Sequence, residues 1–286
     1  MYLQYPQDVL EKLQNEERCI LKDVHDFCKE HDINYFAIGG TLIGAVRHRD
    51  FIPWDDDVDL GMLREDFDKF VSLFDRFPAG YELCTPDTEN RYYSFVPKLA
   101  KKGTLFMTDL ADRSDVRDMG IFVEIFVFEN VSADPKERQK QIRRVINTKI
   151  LFNAHQVKRP VTFGSKPVIA IKNVVKFLLK GYTHIAGLTQ EKLNQRYLDQ
   201  TVSKEETGYA AYFGDSTTED FLTKKADLFP LQEVPFGADT IMIPSNYDQL
   251  LKQAYGDYMT IPPVEGRWNQ APLKIRFSDQ TEVDFR

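Results

Sequence analysis

The sequence predicts an α+β protein with a helical elaboration in its middle third, and three observations predict it. Short apolar runs of strand length alternate with helix-period stretches up to residue 134 and again near the end of the chain. From Pro135 to about Thr201 the period is helical, broken only around RPVTFGSKP (159–167). The composition, 42% hydrophobic and 13% aromatic over 286 residues, is that of a folded chain with a sizeable core. No repeat or low-complexity segment interrupts it.

Taken in order, Asp8 to His31 reads as a long amphipathic helix whose stripe includes Leu10, Leu13, Glu17, Ile20, Leu21, Val24, Phe27 and Cys28. NYFAIGG (34–40) is a short buried strand, and TLIGAVRH opens a helix with Thr41 as its N-cap. An extended stretch follows at 51–62, then a helix near Arg64–Phe74 and strands at 81–84, 93–100, 104–108 and 120–128. The tail holds a strand at DTIMIP (239–244), a helix from Tyr247 to Tyr255, and a proline-rich end.

Three cysteines (Cys19, Cys28 and Cys84) are odd in number and lack metal-site spacing, which predicts reduced thiols and a cytoplasmic setting. The N-terminal MYLQYPQDVLEKLQNEE has no apolar h-region, and no apolar run reaches the roughly 18 residues of a membrane span. Charge is unevenly spread. Between Lys136 and Lys180 eight lysines and four arginines face one glutamate, a local +11, so the remainder carries −18 of the net −7. Such a split predicts that one lobe meets something anionic. Within it PVIAIKNVVKFLLKGY (167–182) sets Ile169, Val174, Val175, Phe177 and Leu178 among Lys172, Lys176 and Lys180. Two readings are open: a helix packed on the core with a solvated basic side, or a helix lying on an anionic membrane. No nucleic-acid partner is expected.

PWDDDVDL (53–60) carries the chemistry. On an extended strand Asp55, Asp57 and Asp59 share one face while Val58 and Leu60 bury on the other. Carboxylates held this close repel one another unless a cation is present, and oxygen ligands at this spacing suit Mg²⁺, with Mn²⁺ as the alternative. A solvated acidic turn with one aspartate capping the next helix explains scattered acids but not this register. Metal-bound carboxylates suit phosphoryl or nucleotidyl transfer. The anionic donor needs a seat, and Gly39–Gly40 ahead of a helix start at Thr41 offers close backbone approach and free N–H groups. Arg47 and His48, a turn or two on, are in reach of a phosphate oxygen, although both also fit ordinary surface charge. Lys98 in SFVPKLAKKGTLF lies between apolar neighbours, where an ammonium wants an anion, whereas Lys101 and Lys102 read as a solvated turn.

GGTLIGAVRHRDFIPWDDDVDLGM (39–62) resembles the signature of the LicD phosphocholine transferases, whose eukaryotic relatives include the fukutin-related ribitol-phosphate transferases. LKQAYGDYMTIPP (251–263) is similar to that family's C-terminal element. Over about 135–235 there is little to recognise. The resemblance implies a nucleotidyltransferase-like mixed β-sheet flanked by helices. It implies transfer of phosphocholine from CDP-choline to a sugar hydroxyl of a cell-surface glycan precursor, typically teichoic acid of the cell wall, with release of CMP. It also calls for a third carboxylate on a neighbouring strand. Glu124 in GIFVEIFVFEN (120–130) fills that place, as metal ligand or general base, with Glu129 a weaker choice. Choline recognition needs aromatic faces; Trp54, Tyr92, Tyr93, Tyr255, Tyr258 and Trp268 are all available, and Tyr255 and Tyr258 with Arg267 are expected to close the donor site.

The implied organisation is a catalytic core with its N-terminal helix over 1–134, a basic helical elaboration over 135–205, and a C-terminal part over 206–286 that completes core and donor site. If the acceptor is polyprenyl-pyrophosphate-linked, the elaboration would dock peripherally on the inner face of the cell membrane. A related transferase with another CDP-linked donor, such as a polyol phosphate, keeps the same metal site. A non-catalytic metal- or phosphate-binding module would not need Asp57, Asp59, Glu124 and Gly39–Gly40 together.

Overall fold

The computed structural model describes residues 4–86, 92, 94–108, 119–156, 160, 166–203, 205–213, 221–267 and 269–286. Helix α1 (Gln7–Glu30) lays its apolar stripe on the sheet, burying Leu10, Leu13, Ile20, Leu21, Val24 and Phe27, with Glu17 among them. Next come β1 (Phe36–Ala37) and a five-residue helix, α2 (Gly39–Ile43), which runs on into a π-helical turn at Gly44–His48. After a loop the chain forms β2 (Asp59–Leu63), α3 (Arg64–Ser72), β3 (Tyr81–Cys84), β4 (Lys98–Lys101), β5 (Leu105–Met107) and β6 (Phe122–Asn130).

Three helices follow: α4 (Pro135–Gln156), α5 (Lys166–Ile185) and α6 (Gln190–Thr201). The chain then returns through β7 (Tyr209–Tyr212), β8 (Thr223–Lys224), α7 (Lys225–Leu228), β9 (Gln232–Phe236), β10 (Asp239–Ile243), α8 (Tyr247–Tyr255), β11 (Lys274–Arg276) and β12 (Glu282–Asp284).

The main sheet has seven strands, with the path β1-β2-β6-β4-β3 and with β7 and β8 continuing from the far end of β6. Among the described residues only β2 and β6 pair in parallel; the other neighbours are antiparallel, so the sheet is mixed. Its central strands read Leu60, Met62, Val123 and Ile125, all fully buried, as strands covered on both faces must. The C-terminal part rejoins the first through β5, which pairs with β11 of a three-stranded sheet. A second core, with Phe95, Val145, Phe152, Leu193, Tyr197 and Phe213, ties α4 and α6 to the sheet end near β7.

Four expectations need correction. Thr41 is not the N-cap: α2 begins at Gly39 with Ile38 before it, and the Thr41 hydroxyl instead accepts the Asp59 backbone N–H at 2.8 Å. The extended stretch at 51–62 is a loop until Asp59, because Pro53–Trp54 turn and Asp55 N–H bonds back to the Ile52 carbonyl at 2.9 Å. The proline-rich end holds the β11–β12 pair, whose three-residue strands carry too little pattern to be read. The core-packed reading of the basic helix is reversed. In α5 only Thr183 is buried, and Val174, Val175, Phe177 and Leu178 are exposed.

Candidate active site

Three adjacent strands each place one ionisable residue at the same level. Parallel pairing of β2 with β6 sets Asp59 opposite Glu124, and antiparallel pairing of β4 with β6 sets Lys98 opposite Glu124 from the other side. The row therefore reads acid, acid, base across the sheet. Lys98 is buried, its ammonium 2.7 Å from Glu124 Oε1 and 3.6 Å from the centre of the Phe122 ring.

The remaining aspartates reach the row from the loop before β2. Val58, fully buried, anchors that loop beneath. Gln14 on α1 donates to the Asp55 carbonyl at 2.8 Å, and the Gln270 backbone N–H donates to Asp56 Oδ2 at 3.1 Å. Asp56 is thus tied to the C-terminal segment, but its charge still acts on Asp55, Asp57 and Asp59, the last two of which also interact with Glu124.

The Gly39–Gly40 pair borders the same acids. A Cβ on Gly40 would stand 2.5 Å from Asp55 Oδ2, and one on Gly39 would stand 3.0 Å from Asp59 Oδ2 and 3.6 Å from the Tyr255 hydroxyl. Gly39 also has φ +57°, in the left-handed region that side chains rarely adopt. A side chain at either position would press on a carboxylate, so here the backbone itself borders the acids.

Crowding shows in the protonation equilibria. Loss of water around Asp55, then repulsion from Asp56, pushes its carboxyl up to about 7. Asp57 and Asp59 are raised well above the usual carboxylate range, first by desolvation, then by Asp59 and Asp55 for Asp57 and by Glu124 and Asp55 for Asp59, against which Lys98 pulls down. Asp57 is exposed, yet the protein surrounding it still removes enough water to raise it. Asp56 is raised more gently, since Gln270 bonds to its charged form.

Sequence reasoning gave Glu17 no functional role. It is 2% exposed on α1, its Oε2 has no hydrogen-bond partner among the described residues, and burial followed by Asp57 and Asp56 pushes its carboxyl up. The available signal was an acid within an apolar helical stripe. Oxygen donors, crowded and mutually repelling, are the chemistry a hard divalent cation accepts, and Asp55, Asp57, Asp59 and Glu124 are the residues that could hold one. Among the described residues no three His, Cys, Asp or Glu side chains are already drawn onto one metal position.

The other expected site residues divide by place. Arg47 clasps the C-terminal element, donating to the Tyr258 carbonyl at 2.5 Å and to Thr260 at 3.5 Å, and its Nε donates to His48 Nε2 at 2.9 Å. Burial and the Arg47 charge lower the His48 pKa. The Trp54 ring carries the Arg267 guanidinium at 4.6 Å and meets His48 edge-on at 6.2 Å. Tyr258 is buried with its hydroxyl on Asp248 at 2.9 Å, away from the acids, whereas the half-exposed Tyr255 stays beside Gly39. Tyr92 is buried and donates to the Val96 carbonyl. Tyr93 and Trp268 lie outside the described residues. Glu129 belongs elsewhere: at the far end of β6 it is buried against Arg64, whose Nε stands 3.0 Å from it.

Residues 32–163 match the family described as LicD/FKTN/FKRP, nucleotidyltransferase domain. The chain is 27% identical over 263 residues to the lipopolysaccharide cholinephosphotransferase LicD of Haemophilus influenzae, across 90% of this chain and 92% of that one. Over 34 residues it is 59% identical to the human ribitol 5-phosphate transferase FKRP, which is 12% of this chain and 7% of that one. A 65-residue stretch is 40% identical to the uncharacterized protein RT0683 of Rickettsia typhi, 22% of this chain and 21% of that one. The family match spans the glycine pair, the aspartate loop, Lys98 and Glu124 alike, so over residues 32–163 this chain is similar to the nucleotidyltransferase domain of that family.

Proposed function

We propose that this phosphotransferase moves phosphocholine from CDP-choline to a hydroxyl of a cell-surface glycan precursor and releases CMP. The observation that carries the reading is the acid row across β2 and β6, walled by Gly39–Gly40, in a chain alignable over 90% of its length with a cholinephosphotransferase. Mg²⁺ held by Asp55, Asp57, Asp59 and Glu124, or Mn²⁺ in its place, would neutralise charge on the transferring phosphate and lower the pKa of the attacking hydroxyl.

The chain's own groups supply the rest. Glu124, oriented by the Lys98 ammonium 2.7 Å away, accepts the hydroxyl proton. The acceptor oxygen bonds to the choline-bearing phosphorus, the bond from that phosphorus to the bridging oxygen breaks, and CMP leaves with the electron pair. The glycine wall lets the diphosphate approach the backbone without a side chain between. Arg47 fixes the C-terminal element that borders the site through its bonds to Tyr258 and Thr260.

The acceptor is read as a precursor of teichoic-acid type, carried on polyprenyl pyrophosphate at the inner face of the cell membrane. A second donor, a CDP-linked polyol phosphate, is favoured by the match to a ribitol 5-phosphate transferase over 34 residues. The test is CMP release, followed by phosphorus NMR, from CDP-choline and from CDP-ribitol with Mg²⁺, beside Asp57→Ala. Slow Mg²⁺-dependent CMP release from CDP-choline alone, lost in the variant, is the expected result. Release from CDP-ribitol alone assigns the second donor, and release from neither overturns both.

A further inference from the structure

Helix α5 is turned inside out. Its inner side carries Thr183, 3.4 Å from His155 on α4, together with the half-buried Ile169, Asn173, Lys176 and Lys180. Its outer side carries Ile171, Val174, Val175, Phe177, Leu178 and Ile185. Phe177 is 77% exposed, Leu178 64% and Ile185 91%. Helical spacing draws them into one broad apolar arc, with the exposed Lys166 and Lys172 beside it. A contiguous apolar arc of this kind is not left to water without a partner.

We propose that this arc docks α5 lengthwise on an anionic lipid bilayer, apolar side chains in the acyl boundary and lysines at the headgroups. Charge selects this occupant. The segment from Lys136 to Lys180 carries +11 and the rest of the chain −18, so a negatively charged surface attracts this lobe and repels the other, which orients the molecule. A second copy of the chain would bring +11 against +11. No helix among the described residues is long and apolar enough to cross a membrane, which leaves surface binding as the mode for α5. Docking deepens the reading of a lipid-linked acceptor and rests on it for its purpose, but the contact itself needs neither donor nor acceptor.

Flotation of the full chain with vesicles tests it, phosphatidylcholine alone against phosphatidylcholine with phosphatidylglycerol, beside the double variant Phe177→Glu/Leu178→Glu. The native chain is expected to float with anionic vesicles, less so in high salt, and the variant to lose about tenfold or more in partition. A Phe177→Trp variant should shift its emission to the blue on binding. Failure to float, or equal flotation of the double variant, overturns the proposal. A concentration-dependent dimer abolished by the same pair of substitutions also overturns it and gives the arc to a second copy. CMP release without vesicles is measured in parallel: its loss with docking intact strikes the transfer reading alone, and its survival without docking strikes this proposal alone.

Discussion

The acid cluster around β2 and the basic lobe of α4–α6 solve opposite problems. Around β2, like charges are forced together where water is scarce, so Asp55, Asp57, Asp59 and Glu17 all bind protons more tightly than free carboxyls do. In the lobe, cations are spread over exposed helix and it is the apolar arc of α5 that lacks cover. The first region holds an excess of charge that the proposed cation would offset; the second leaves bare an apolar area that the proposed surface would cover. Each points outward to what it meets, one by excess charge and the other by excess apolar area.

The largest expected effect separates function from fold at the cluster. Asp59→Asn removes a charge from a mutually repelling set while keeping the shape, so CMP release should fall about a thousandfold or more with little loss of stability. Should unfolding be the main consequence, the cluster is structural. The two glutamates of β6 sharpen this. Glu124→Gln should lower CMP release about a hundredfold. Glu129→Gln leaves Arg64 without its buried partner, which should cost about 3 kcal/mol in denaturant unfolding while the folded fraction keeps its turnover.

Protonation gives a smaller, graded test. The Asp55 carboxyl, raised from 3.8 to about 7, keeps its proton in the folded chain over a range where the unfolded chain has lost it. The folded state therefore binds more protons across that window, and stability of the metal-free protein falls as pH rises through it. Melting temperature should drop between about pH 5 and about pH 8 without divalent cation, and added Mg²⁺ should recover more at the higher pH. The smallest effect belongs to the lobe. Phe177→Glu should alter unfolding stability by no more than about 0.5 kcal/mol, since its ring is 77% exposed. A large loss would mean that α5 is covered in the folded chain.

Much of this was visible in the residues. The helix expected from Asp8 to His31 runs from Gln7 to Glu30, and that from Tyr247 to Tyr255 has the same ends. Strong 3.6-residue periodicity and a following glycine make such helices readable. The aspartates, the glycine pair and Glu124 also stood out, because charge within an apolar run and paired glycines are local signals. What stayed hidden is set by distant partners. The loop at Asp55–Asp57 has its shape from Gln14 and Gln270, far away in sequence. Thr41 looked like a cap but is recruited by Asp59. The orientation of α5 follows from what its neighbours leave open, and the basic pattern alone fits either orientation.

The most direct measurement is a titration of Mn²⁺ followed by electron paramagnetic resonance, native chain against Asp59→Asn, without donor or acceptor. The free-ion signal should fall in proportion to native protein and return when Mg²⁺ or EDTA is added, while the variant leaves it nearly unchanged. A native chain that leaves the free-ion signal intact, or a variant that binds as well, would contradict a cation held by the acids of β2 and β6.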